Sequence, residues 1–120
     1  MEKRQHVIKL FGVPFCNKIR DARELFEKNK IVYQFVNVKK TPVSELQLKE
    51  IVNQLSLDRV INKQGLTYKK LGLSKMNLNE DELFQWIFRE QGMIRRPLIE
   101  NNGRYLIDTD ENKIIEFCKH

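Results

Sequence analysis

The chain has 120 residues, 41% of them apolar, with five Gly, three Pro and no internal repeat or low-complexity tract. That composition describes one globular domain over 1–120 and excludes a linker-rich or disordered chain. Twenty-two Lys and Arg against 16 Asp and Glu leave a net charge of +6, which favours anionic partners in general. The basic pairs Lys39-Lys40, Lys69-Lys70 and Arg95-Arg96 are dispersed and lack interleaved aromatics, so direct nucleic-acid binding is not expected.

Neither an apolar run of about 18 residues nor a signal-peptide pattern is present, so no membrane association is expected. Two cysteines, Cys16 and Cys118, stand near opposite ends, which fits a reducing compartment without a structural disulfide. The expectation is a cytoplasmic protein, most simply a monomer. His6 and His120 lack metal-ligand spacing, and no metal site is proposed.

In chain order, Val7-Ile8-Lys9-Leu10-Phe11 is a short apolar segment bounded by Gly12 and Pro14, the pattern of a buried strand. Apolar residues then recur at Ile19, Ala22, Leu25 and Phe26 with charged residues between them, which is helical spacing. Cys16 therefore falls at or near the N-cap of the first helix. Helix starts leave N–H groups without internal partners and carry partial positive charge, so a thiolate is favoured there over a thiol. Arg20, one turn on, is expected to add to this effect. The alternative for Cys16 is a small, inert residue closing a strand-to-helix turn.

A second strand is expected over Ile31 to Val38, completing a βαβ unit with a right-handed crossover. Thr41-Pro42 breaks the chain, and Ser44 to Gln47 has capping-box form ahead of a helix over about 44–55. Asp58 to Lys63 and Leu66 to Leu71 read as short helical turns around Gly65. Asn79 with Glu82 caps a helix carrying Leu83, Phe84, Ile87 and Phe88 that stops at Gly92. Pro97 to Glu100, the Asn101-Asn102-Gly103 turn and Arg104 to Ile107 form a hairpin, and Asp110 caps a last helix reaching Cys118. The order is β-α-β, a helical insert over about 43–92, then β-β-α. Without the insert, this α/β order is that of a thioredoxin fold.

With a lone cysteine after strand one, the chain resembles the arsenate reductase (ArsC) and Spx family of thioredoxin-like proteins. Three stretches carry the resemblance: Pro14 to Ala22, Ile61 to Leu73, and Gly92 to Ile99, whose Arg96-Pro97-Leu98-Ile99 is the most specific. It implies a thiol oxidoreductase with Cys16 as nucleophile and Arg96 as the arginine that holds an oxyanion. It further implies a cis Pro97 facing the cysteine, with glutathione and glutaredoxin as external reductant and no bound cofactor. Arginine suits this role because its planar fork makes bidentate bonds to tetrahedral oxyanions. Arg95 and Arg96 are adjacent in an extended segment, so only one can face Cys16.

Two positions depart from the arsenate-reducing members. Asn62 stands where they carry an arginine, and a further family arginine falls on Asp108 by the simplest alignment, with Arg104 four residues too early. Two lost charge-assisted donors weaken anion binding at about 1.5–3 kcal/mol each. Asn62 remains a candidate substrate contact, and a glutathione mixed disulfide is an alternative substrate to arsenate. The Spx branch usually carries Cys-x-x-Cys at the head of the first helix, whereas here the fourth position is Ile19. A regulator or adaptor that binds RNA polymerase without a dithiol switch is the alternative function.

Cys118 is expected to be passive, because the terminal helix packs away from the nucleophile's loop. Lys69 and Lys70 read as surface charge, and Trp86, Phe84 and Phe88 as packing. Tyr68 and Gly72 are expected to shape the insert against the core.

Overall fold

The computed structural model describes residues 7–119. Four strands, β1 (Ile8–Gly12), β2 (Tyr33–Asn37), β3 (Leu98–Asn101) and β4 (Arg104–Ile107), form one sheet in the order β2-β1-β3-β4. β1 and β2 run parallel, and the β1–β3 and β3–β4 pairs are antiparallel. The parallel pair requires a crossover, supplied by α1 (Asn17–Lys28). The β3–β4 turn is tight because Asn102 and Gly103 adopt φ of 53° and 79°, the positive values that Asn and Gly tolerate. With its helices, this sheet is a thioredoxin-like architecture.

Alternation along the strands divides the core between two faces of the sheet. Ile8, Leu10 and Ile99 join Ile19, Ala22, Leu25 and Phe26 of α1 and Ile114 of α6 (Glu111–Lys119). Phe11, Leu98, Tyr105 and Ile107 meet the helical segment on the other face. That segment comprises α2 (Glu45–Leu55), α3 (Leu57–Val60), α4 (Leu66–Leu71) and α5 (Glu80–Arg89). Leu48, Ile51, Val60, Ile61 and Ile87 are fully buried there, each worth about 1.5–3 kcal/mol of transfer free energy. Phe84, Trp86 and Phe88 pack against the same cluster.

Capping follows the sequence closely. The Asn79 side chain accepts from the Glu82 N–H at 2.8 Å and the Glu82 carboxylate accepts from the Asn79 N–H at 3.0 Å, a complete capping box. Ser44 caps α2 through the Gln47 N–H, and Asp110 caps α6 through the Lys113 N–H. α5 ends at Arg89, three residues before Gly92, and a 3-10 turn, Gln91–Met93, follows.

The expected helical turn over Asp58 to Lys63 is shorter than its apolar spacing implied. α3 ends at Val60 because Ile61 is taken by an antiparallel bridge to Ile94. The Asn62 N–H donates to the Met93 carbonyl at 2.8 Å and the Arg95 N–H to the Val60 carbonyl at 2.7 Å, fastening the insert to the segment that leads into β3.

Gln91 makes a second fastening. Its buried amide accepts from the Val43 N–H and donates to the Val43 carbonyl, both at 2.8 Å, as a strand neighbour would. The Val43 backbone is thereby satisfied in an apolar setting where an unpaired group costs about 1–3 kcal/mol. Gln91→Ala is expected to lower unfolding free energy by about 2–4 kcal/mol in urea titration; a loss below about 0.5 kcal/mol would show that water replaces the amide.

Candidate active site

Cys16 is placed by the turn that carries the chain from β1 into α1. Phe15 adopts φ of 62°, a left-handed conformation costing a residue with a Cβ on the order of 1–2 kcal/mol, and its ring is fully exposed. The next residue, Cys16, is extended (φ −108°, ψ 128°) and occupies the N-cap of α1. Its side chain makes no capping hydrogen bond. Burial of the sulfur opposes ionisation, but the backbone N–H groups of Ile19 and Lys18 and the Arg96 guanidinium favour the thiolate and outweigh that penalty. Cys16 is held below the ordinary thiol value.

Arg96 reaches the site through the sheet. Phe11 is opposite Leu98 in the antiparallel β1–β3 pair, so the chain ahead of Leu98 runs beside Gly12 and the Cys16 turn. The Arg96–Pro97 peptide bond is cis. One guanidinium nitrogen donates to the Gly92 carbonyl at 2.7 Å, while the charged group lies close enough to the Cys16 sulfur to favour its thiolate. Arg95 is turned away, its Nε donating to the Ile61 carbonyl at 3.1 Å. Gly12 allows the close approach: a Cβ there would overlap the Ile19 side chain and lie 3.6 Å from Arg96 Cδ.

The other expected residues are distributed unequally. Asn62 lines a cleft of about 230 Å³ together with Arg96, Lys39, Thr67 and Tyr68. Its side-chain oxygen accepts from the Gln64 N–H at 3.1 Å, which closes a turn ahead of α4. Arg20 shares a shallow groove with Cys16 and Phe15, yet its guanidinium is exposed and pairs with Asp21 at 3.3 Å. It is absent from the groups that shift Cys16, so the expected contribution of Arg20 to the thiolate is supplied by Arg96 and the two amides instead.

Neither position considered for a further arginine brings a guanidinium to Cys16. Asp108 lies between Arg59 at 4.0 Å and Lys113 at 3.9 Å, and Arg104 stacks on the Phe117 ring at 4.9 Å. Cys118 is a free thiol that burial pushes up to about 11, which leaves it protonated at neutral pH. Among the described residues there is no group of three or more His, Cys, Asp or Glu side chains arranged to hold a metal. His6 and His120 lie outside the described residues. No helix among them is long and apolar enough to cross a membrane.

Lys39 and Thr67 of the cleft escaped the sequence reading. Lys39 has the look of half a surface pair with Lys40, and only the β1–β2 register brings it beside the insert.

A four-stranded mixed sheet with a cysteine at the head of its first helix, facing an arginine that precedes a cis proline, defines a thioredoxin-like protein with a one-cysteine site. The ArsC family model matches residues 11–117, and the chain belongs to that family. Arsenate reductase of Neisseria meningitidis is 34% identical over 100 residues, covering 81% of this chain and 86% of its own. The global transcriptional regulator Spx of Listeria innocua is 29% identical over 113 residues, covering 92% of this chain and 86% of its own. An arsenate reductase structure from Vibrio cholerae superposes with a TM-score of 0.79 at 24% identity, covering 94% of this chain and 98% of that one, and shows the shared fold.

Removing the Arg96 charge removes two of the influences that favour the thiolate while leaving burial and the helix amides in place. Arg96→Met is therefore expected to move the pH midpoint of Cys16 alkylation upward, with the rate still rising through the thiolate fraction as pH increases. Peptide mapping of iodoacetamide-labelled protein reads Cys16 and Cys118 separately. An unchanged midpoint at Cys16 would remove Arg96 from the site.

Proposed function

We propose that the protein is a thiol oxidoreductase of the arsenate reductase type, with Cys16 as nucleophile and Arg96 as its anion-holding partner. The observation that carries this reading is the pairing of the Cys16 sulfur with the Arg96 guanidinium at the start of α1. A cation beside a thiolate serves the reaction twice. It keeps the sulfur ionised before attack and binds the oxygen atoms of an anionic substrate during attack.

With arsenate, the Cys16 sulfur forms a bond to arsenic and one oxygen leaves as water. A glutathione thiolate then attacks the sulfur, the S–As bond breaks, its electron pair reduces arsenic to arsenite, and Cys16 is left as a mixed disulfide with glutathione. A glutaredoxin-class thiol attacks the glutathione sulfur and returns Cys16 as thiolate. The external thiol is needed because Ile19 stands where a local resolving cysteine would be, and it is 2% exposed in the core. The same final step makes a glutathione mixed disulfide a second substrate class.

Only Arg96 brings a guanidinium to the sulfur among the described residues. Arsenate binding should consequently be weaker, by about 1.5–3 kcal/mol for each charge-assisted contact absent. The expected kinetic signature is a high KM for arsenate with measurable kcat.

Similarity to Spx over 92% of the chain supports a second reading, a regulator or adaptor that contacts RNA polymerase through the helical insert. Retention of a polymerase subunit on tagged protein at low salt would favour it.

In an arsenate assay coupled to glutathione and glutaredoxin, and in a mixed-disulfide assay with glutathione and no glutaredoxin, Cys16→Ser is expected to abolish the protein-dependent reduction of arsenate and of a glutathione mixed disulfide, whereas Cys118→Ser retains both. Absence of both activities in the unaltered protein would contradict the enzymatic reading.

A further inference from the structure

The two outer strands of the sheet are finished differently. β4 meets side chains of the helical insert that occupy its outward backbone groups. The Tyr105 N–H donates to the Gln54 side-chain oxygen at 2.9 Å, the Gln54 amide nitrogen donates to the Gly103 carbonyl at 2.7 Å, and Arg59 donates to the Ile107 carbonyl at 2.7 Å. Among the described residues, β2 has no such closure.

The Val38 N–H donates to the Gly12 carbonyl at 3.0 Å, continuing the parallel β1–β2 pairing. Alternation therefore turns the backbone groups of Gln34 and Val36 toward β1 and those of Tyr33, Phe35 and Asn37 away from it. The Asn37 carbonyl is taken by the N–H groups of Lys40 and Thr41. No hydrogen bond among the described residues reaches the outward N–H and carbonyl groups of Tyr33 and Phe35. Every residue of β2 keeps some exposure, and Val32 just ahead of it is 70% exposed.

Sheet edges are ordinarily guarded by a charged side chain, a proline, a bulge or a covering segment. β2 reads Tyr33-Gln34-Phe35-Val36-Asn37, without charge or proline, and pairs with β1 in an unbroken register. Arg23 lies over the Phe35 ring at 5.0 Å, and its Nε donates to the Tyr33 hydroxyl at 3.0 Å. These contacts cover one face of the strand and do not engage its backbone.

Charge decides what fits this edge. From Asn29 to Val43 the chain carries Lys30, Lys39 and Lys40 and no Asp or Glu, and all three lysines are exposed. A second copy of the chain is a poor occupant. Two β2 strands paired antiparallel about Phe35 would set Lys30 of each opposite Lys40 of the other, and like charges directly opposite destabilise a strand pair. An extended segment with carboxylates at its ends has the complementary charge.

We propose that the open edge of β2 binds an extended acidic segment of a partner protein as a fifth strand, antiparallel to β2. The outward N–H and carbonyl groups of Tyr33 and Phe35 supply the main-chain bonds, and Lys30 and Lys40 select carboxylates at the two ends. This site requires no chemistry at Cys16.

The test uses a nine-residue probe peptide with a Val-Thr-Val-Thr-Val centre and two Glu at each end. N-methylation of its two Thr leaves a single edge able to pair and prevents self-association. Amide hydrogen exchange of full-length 15N-labelled protein is followed by NMR at about 1 mM peptide. The Tyr33 and Phe35 amides are expected to exchange at least about tenfold more slowly with the peptide than without it. A version with Lys in place of Glu, and one N-methylated at all five central residues, should each bind at least about tenfold more weakly. Lys30→Glu/Lys40→Glu alters only exposed side chains and is expected to reverse the preference between the Glu and Lys peptides.

Failure of the Glu peptide to protect Tyr33 and Phe35, equal binding of the Glu and Lys peptides, or equal binding of the fully N-methylated version would overturn the proposal. So would protection of the same two amides that rises with protein concentration alone and coincides with dimer formation in sedimentation, because the edge would then belong to a second copy.

Discussion

The contact between the Arg96 guanidinium and the Cys16 sulfur joins parts of the chain 80 residues apart, and the surrounding structure is arranged so that this contact can form. The Ile61–Ile94 bridge and its flanking hydrogen bonds hold the segment before β3 against the insert. The β1–β3 register brings that segment alongside the Cys16 turn, and Gly12 leaves space for Ile19 and the Arg96 stem. Each element belongs to a different part of the fold, so the position of the cation beside the sulfur depends on several non-local contacts at once. A shift of about 1 Å matters because the hydrogen-bond component of the interaction weakens steeply with distance and angle.

The electrostatics of the site are asymmetric. Arg96 and the two first-turn amides act on the sulfur, whereas the neighbouring Phe15 ring is exposed to solvent and the Arg20 charge is paired with Asp21. The two thiols illustrate how environment divides identical chemistry. Both are partly buried, but Cys16 has donors that favour its ionised form whereas burial alone acts on Cys118, which is pushed up to about 11. One sulfur is shifted toward its ionised form and the other away from it.

Local patterns made most of the architecture legible before any coordinates. Ile19, Ala22, Leu25 and Phe26 are spaced as a helix and all four are buried; Asn79 and Glu82 form the capping box their spacing implies; Asn102 and Gly103 supply the positive φ of a tight turn. The family's motifs supplied Arg96 as the partner of Cys16, which neither periodicity nor charge could have done. What escaped was non-local. Ile61 carries the right apolar spacing for a helix but is claimed by Ile94, 33 residues away, and Lys39 meets Gly92 only through the register of a parallel pair. Arg20 was read without its neighbour: its guanidinium pairs with the adjacent Asp21.

The central claim is that the fold favours the thiolate of Cys16 relative to an ordinary cysteine. Ultraviolet thiolate absorbance of the Cys118→Ser protein, titrated against pH with Cys16→Ser/Cys118→Ser as the blank, measures this directly. The account predicts one transition with a midpoint below the ordinary thiol value of about 8.5. A midpoint at or above that value would contradict it.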